Sequence, residues 1–220
     1  MVIAMFDLTI VFPYYRPLLE GLFTTLWVSL LSIFIGFFFG LGLCSLRNAH
    51  SSTLRGMARV YISFFRGTPL LVQLAIIFYF LPLVGIYIPS VIAAIMALSM
   101  NTGAFQAEIL RGGFRGLPKG QLEACWTCGF TQNQTYWHIQ LPQVIKMTLP
   151  ALVNETIDII KNSALISTIA VVDLMRIAQT YSSTTYRPLE FFMAAGVLYL
   201  LLTVSVSYIG NKIDYKLSNL

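Results

Sequence analysis

Six polar side chains, Asn154, Glu155, Asp158, Lys161, Asn162 and Ser163, are packed into an otherwise apolar stretch that opens at Leu149-Pro150. On a helix turning about 100° per residue, with Asn154 at the origin, Asp158 falls near 40°, Asn162 near 80°, Glu155 near 100° and Lys161 near −20°. The first five of these polar groups share roughly a third of the circumference, and Leu152, Val153, Ile157, Ile159 and Ile160 fill the rest. A charge in the middle of a membrane span costs on the order of 2.5–3.5 kcal/mol, so such groups face a cavity or one another. Asp158 and Lys161, three residues apart, can pair, and amides such as Asn154 can bind helices together. Glu155 is left without a cation, which favours the second reading, a water-filled path along which an ammonium or guanidinium passes. Asn101, Thr102 and Gln73 are further polar groups in apolar surroundings and join this candidate path. Glu108 is expected at the interface, paired with Arg111 or Arg115.

The surroundings of this stretch decide its class. The chain has 220 residues, 57% hydrophobic and 10% charged, with a mean hydropathy of +0.75. Soluble domains average about 25% charged residues, so the composition excludes a soluble enzyme, a disordered chain and a disulfide scaffold. It predicts an all-α polytopic membrane protein, a single transmembrane domain over 1–220. Five spans are expected at about 18–46, 57–83, 89–110, 149–166 and 191–209. Gly36, Gly40 and Gly42 in the first suit close helix packing. The early Asp7 and the absence of a basic segment before the first apolar stretch argue against a cleaved signal peptide.

The net charge of +5 describes orientation rather than nucleic-acid binding. Ten basic residues fall on one side: Arg47, Arg55, Arg59, Arg66, Arg111, Arg115, Lys119, Lys146, Lys212 and Lys216. Three, Arg16, Arg176 and Arg187, fall on the other. Basic residues gather in cytoplasmic loops, so the N-terminus is expected outside and the C-terminus in the cytosol. The aromatic run Phe12-Pro-Tyr-Tyr15 suits an anchor at the outer interface. The cysteines, Cys44, Cys125 and Cys128, are odd in number, and Cys125-Trp-Thr-Cys128 lacks both the setting of a redox motif and a second pair for zinc. No metal site is expected.

The longest extramembrane segment, about 116–146, lies on the basic side and carries helix-forming stretches near 120–129 and 132–140. A compact helical loop of this size suits docking of another protein. Its residues Glu123-Ala124-Cys125, three residues, Gly129, nine residues, and Ile139-Gln-Leu141-Pro142 resemble the EAA loop of ABC importer permeases, with Cys125 in place of the usual alanine. Phe65-Arg-Gly-Thr-Pro-Leu-Leu-Val-Gln73, Arg111-Gly-Gly-Phe, Pro118-Lys-Gly-Gln121, Leu149-Pro-Ala-Leu-Val-Asn154 and Lys161-Asn-Ser-Ala-Leu-Ile-Ser167 resemble the polar amino-acid branch of that family, the histidine, arginine and glutamine permeases. Asn162 stands where an aspartate is common. The resemblance covers about 21–213.

That resemblance implies a permease subunit in the inner (cytoplasmic) membrane of a bacterium, moving polar amino acids, basic ones or glutamine among them, by alternating access. Its partners would be a second permease subunit, identical or homologous, two ATP-binding subunits, a periplasmic or lipid-anchored solute-binding protein, the amino-acid substrate and membrane lipid. It implies docking of the ATPase through Glu123, Ala124, Cys125, Gly129, Ile139, Leu141 and Pro142, and a gate including Leu165, Ser167 and Thr168. Gly129 would permit the turn between two short helices, and Leu141-Pro142 would restart the chain into the fourth span. The chain has no Gx4GK[ST] stretch to hold nucleotide phosphates, so it is expected to be no enzyme and to carry no cofactor, ATP and Mg²⁺ belonging to the partner ATPase. From Thr168 to Tyr186, Val171, Leu174, Met175 and Ala178 at helical spacing predict a helix across the outer mouth. A proton-coupled secondary transporter relaying through Glu155 and Asp158 is the alternative, though the paired inverted repeats usual in that class are not seen.

Overall fold

The computed structural model describes residues 7–218. A short 3₁₀ segment, Leu8–Tyr14, leads into α1 (Tyr15–Arg47). There follow α2 (Ser52–Gly67), α3 (Leu70–Ala75), a π-helical stretch Ile76–Phe80, α4 (Leu81–Leu83) and α5 (Ser90–Gly116). The remainder comprises α6 (Lys119–Thr127), α7 (Gln132–Gln134), a second π-helical stretch Thr135–Gln140, α8 (Leu141–Asn162), a 3₁₀ segment Ser163–Ile169, α9 (Leu174–Thr185) and α10 (Pro188–Ser218). No strand occurs among the described residues.

The central element is α5, which packs along α1 and also meets α2, α3 and α8. Small side chains let the α1 and α5 backbones approach. A Cβ added to Gly103 would stand 2.8 Å from the Phe39 ring and 3.2 Å from the Gly36 carbonyl, and one added to Gly40 would stand 2.8 Å from the Gly103 carbonyl. Gly42 faces open space, so only Gly36 and Gly40 serve the crossing expected of all three. Ala93, Ala94, Ala97, Ala104 and Ala107 continue this small-residue face of α5. Three apolar clusters lie along the bundle: Leu18 with α9 and α10, Val28 and Leu98 with α3 and Ile159, and Leu43 with α2 and Val144.

The expected second span is not one helix. Among the described residues three helices are long and apolar enough to cross a membrane: Leu8–Arg47, Ser90–Gly116 and Pro188–Leu217. Ser52–Gly67 and Leu70–Leu83 pass that test only together, and they meet at 109°. Pro69 forces the preceding Thr68 into an extended conformation, and the amide of Gln73 donates to the carbonyls of Phe65 (2.9 Å) and Thr68 (3.1 Å) freed by the break. Asn101 of α5 donates to the same Phe65 carbonyl (3.2 Å) and to Gln73 Oε1 (2.9 Å). Two amides thus satisfy a buried helix end. α8 falls outside the apolar set because Glu155, Asp158 and Lys161 lower its hydropathy.

Another departure concerns Leu141-Pro142. The helix continues through it rather than restarting, with the π-helical stretch Thr135–Gln140 immediately before. Proline lacks the N–H for the helical bond to the preceding turn, and a widened turn accommodates that loss.

Candidate functional site

α8 carries its polar residues on two different sides. Glu155 is 8% exposed and points into the bundle with Ile159, whereas Asn154, Asp158, Lys161 and Asn162 are exposed. Lys161 Nζ sits 2.7 Å from Asp158 Oδ1, both side chains more than half exposed. Ser163 is buried and donates to the Ile160 carbonyl. The single polar face predicted by angular position is therefore an outward stripe closed by its own ion pair, plus one inward carboxylate.

Glu155 Oε1 accepts a hydrogen bond from the Thr102 hydroxyl at 2.9 Å. Thr102 Oγ1 in turn accepts from Gln106 Nε2 at 3.1 Å, and Gln106 Oε1 is buried with no partner. No basic side chain lies within 4 Å of Glu155 among the described residues. A carboxyl oxygen and an amide oxygen are thus presented without a cation, an arrangement that costs free energy unless a donor arrives. Gln106, one turn beyond Thr102 on α5, is thereby joined to Glu155 in one buried polar group. Gln73 and Asn101 belong instead to the break between α2 and α3.

Beyond Ser163, the 3₁₀ segment places Leu165 half-buried, Ser167 buried and Thr168 exposed. It ends at Ala170 in a left-handed conformation (φ 62°). Asp173 then caps α9, accepting from Arg176 N at 2.9 Å, and α9 forms the helix expected over this stretch. Tyr199 of α10 donates to Asp173 Oδ2 at 3.4 Å. Burial pushes this carboxyl up to about 6 against the lowering effect of its hydrogen bonds.

The 116–146 loop is ordered by its own backbone chemistry. Gly129 N–H donates to the Trp126 carbonyl and Phe130 N–H to the Cys125 carbonyl, with Gly129 at φ 81°, the pattern that closes a helix C-terminus around a left-handed residue. Two residues on, Thr131 and Gln134 form a reciprocal capping box. No α6 residue is buried, and Glu123, Ala124, Trp126 and Gly129 are exposed, with Cys125 and Ile139 intermediate. Of the remaining loop positions Leu141 is buried and Pro142 exposed. Glu108, expected to pair with Arg111 or Arg115, is held by Arg111, with Arg47 at 3.6 Å and Arg66 at 3.8 Å, and does not pair with Arg115. Among the described residues no group of three His, Cys, Asp or Glu side chains could hold a metal.

The model of a family described as the binding-protein-dependent transport system inner membrane component matches residues 32–219. The chain belongs to that family. Its members are permease subunits, membrane components of ABC importers that work with an ATPase and a solute-binding protein, and the inner membrane is their location. The family chain is 37% identical over 219 residues to the arginine transport system permease protein ArtQ of Bacillus subtilis, covering 97% of this chain and 98% of that one. It is 36% identical to the putative glutamine transport system permease protein GlnP of Rickettsia conorii, covering 91% and 92%. A crystal structure of an amino acid ABC transporter with histidines superposes with a TM-score of 0.90 at 34% identity, covering 96% of this chain and 99% of that one. The MetNI methionine ABC transporter in an inward-facing conformation shares the fold, with a TM-score of 0.80 at 22% identity. The permease reading thus stands, and nothing found supports the proton-coupled alternative.

Proposed function

We propose that this permease imports polar amino acids, cationic ones preferentially, with Glu155 as the group that receives the positive charge of the substrate. The observation that carries this reading is the buried Glu155 carboxylate, held by Thr102 and lacking a basic partner. An ammonium or guanidinium would supply both the charge and the donors that Glu155 and Gln106 Oε1 lack. The relatives named for arginine and glutamine transport agree with this class of substrate.

The outward stripe of Asn154, Asp158, Lys161 and Asn162 is unfavourable against lipid and fits a water-filled path completed by a second permease subunit, identical or homologous. Five spans with the N-terminus outside place Arg47, Arg66, Arg111 and the 116–146 loop at the cytosolic face. There, two ATP-binding subunits engage Glu123, Ala124, Cys125, Gly129, Ile139, Leu141 and Pro142. Closure of those subunits tilts the spans attached to the loop and opens the outer side, where Leu165, Ser167 and Thr168 form the gate and a periplasmic or lipid-anchored binding protein delivers the ligand. The ligand moves only because the two states bind it unequally.

The test is uptake by the reconstituted transporter carrying Glu155→Ala. Uptake of arginine or lysine is expected to fall at least about tenfold, the factor for losing roughly 1.4 kcal/mol of charge-assisted binding, and glutamine uptake to fall much less. Equal loss for both classes would make Glu155 a structural residue.

A further inference from the structure

A second concentration of charge lies where α1, α2 and α5 meet, away from Glu155. Arg111 grips Glu108 through both guanidinium nitrogens, while Arg47 Nε stands 3.6 Å and Arg66 3.8 Å from the same carboxylate. One acid thus faces three guanidiniums. Arg47 Nε is buried and makes no hydrogen bond. Arg115, one turn beyond Arg111, has no carboxylate within 4 Å among the described residues.

Beside this cluster opens a cavity of about 400 Å³ lined by Ser45, Asn48, Arg111, Arg115, Tyr136 and Gln140 together with the Phe114 ring. Every lining side chain except Phe114 carries a hydrogen-bond donor, and none is a carboxylate. The wall is rigid: the Tyr136 ring stacks on Phe114 with centroids 5.3 Å apart and planes 8° apart, and the Tyr136 and Ser45 hydroxyls are 3.2 Å apart. Surplus positive charge, an Arg115 guanidinium with no carboxylate beside it and a lining made mostly of donors are the features that select tetrahedral oxyanions. Apolar Leu46, 40% exposed, adjoins Ser45 on α1, so the cavity sits where apolar and charged surfaces meet. Basic pockets between helices on the cytoplasmic side bind lipid head groups.

We propose that this cavity is a binding site for a phosphate-bearing anion, held by Arg111 and Arg115. The proposal rests on the orientation given above only for its placement at the inner leaflet. The phosphate of an anionic lipid and a free phosphate share this chemistry. Tyr136 and Gln140 also line a neighbouring cavity with Trp126, Gln132 and Asn133 of the docking loop. An anion bound here therefore touches the same two side chains that border the ATPase-facing surface.

The test is native mass spectrometry of the intact transporter, permease with its ATP-binding subunits, titrated with phosphatidylglycerol, phosphatidylcholine or inorganic phosphate. Phosphatidylglycerol is expected to be retained at least about fivefold more than phosphatidylcholine, the factor for roughly 1 kcal/mol per arginine. Arg115→Gln, at an exposed position safe for folding, removes that preference. If inorganic phosphate displaces phosphatidylglycerol at Arg115 the free anion is the source; if it does not, the lipid is, and either result sustains the site. Equal retention of the two lipids with no phosphate bound overturns the proposal, as does a preference that survives both Arg115→Gln and Gln140→Leu. Binding that occurs only after the ATP-binding subunits are stripped away also overturns it, because the arginines would then belong to carboxylates of that subunit.

Discussion

The membrane core around Gly103 and the loop around Gly129 use glycine to opposite ends. At the α1–α5 crossing the backbones touch, a Cβ on Gly103 would strike both Phe39 and the Gly36 carbonyl, and every neighbouring position on α5 is buried. At Gly129 nothing lies within 4 Å of an added Cβ, yet the backbone is fixed at φ 81° by two terminal hydrogen bonds and a capping box. One glycine is required by what already packs against it. The other holds an exposed surface in a definite shape, the order without burial that the proposed docking of an ATP-binding subunit requires.

Mutations that separate these two roles are the sharpest tests. Gly103→Leu forces the α1 and α5 backbones apart and should remove most correctly folded permease from the membrane, a loss above about 3 kcal/mol by overpacking. Expression followed by size-exclusion chromatography in detergent reads this, and a monodisperse, thermally normal variant would break the distinction between the regions. Gly129→Asp should leave insertion and thermal stability within about 1–2 kcal/mol of the parent, the strain of a left-handed aspartate. It should nevertheless release the ATP-binding subunits on co-purification, and normal assembly would remove the docking role from this turn.

Between these extremes stands the break at Gly67–Leu70. Gln73→Leu removes one of the two donors to the buried Phe65 carbonyl, the amide donor to the Thr68 carbonyl and an acceptor of Asn101, and about 1–3 kcal/mol of stability should be lost. A thermal shift assay in detergent measures it. The smallest effect belongs to Asp173. Its carboxyl sits near 6 in the folded protein against about 3.9 unfolded. With the folded value raised, the favourable contribution is complete below pH 4 and is lost as pH rises through 6. Melting temperature should therefore fall between pH 5 and pH 7 by the part due to this group, and Asp173→Asn, which retains a capping oxygen, should flatten that slope.

Much of this was legible in the residues. The spacing from Glu123 to Pro142 located the loop and its turn, because caps and glycine turns are local and act through residues only a few positions apart. Glu155 stood out because an unpaired carboxylate among isoleucines has few explanations in a bilayer. The partition of α8 was not legible. Glu155 and Asp158 differ by about 60° on the helix, and only the packing of α5 shows that this angle separates an inward side from an outward one. Gln73 and Asn101 read as path residues for the same reason: an amide in an apolar helix looks alike whether it meets a solute or a broken backbone. Pro69 announced a disturbance, but its 109° size depends on the tertiary partners that satisfy Phe65 and Thr68.

The central claim is that this chain moves solute only when an ATPase works on its loop. The direct measurement is uptake of labelled arginine into vesicles containing the permease with and without its ATP-binding subunits, with the solute-binding protein supplied. Uptake that requires those subunits and ATP, stops with vanadate and persists with an uncoupler is the predicted result. Accumulation by the permease alone, or transport abolished by the uncoupler while ATP is present, would contradict it.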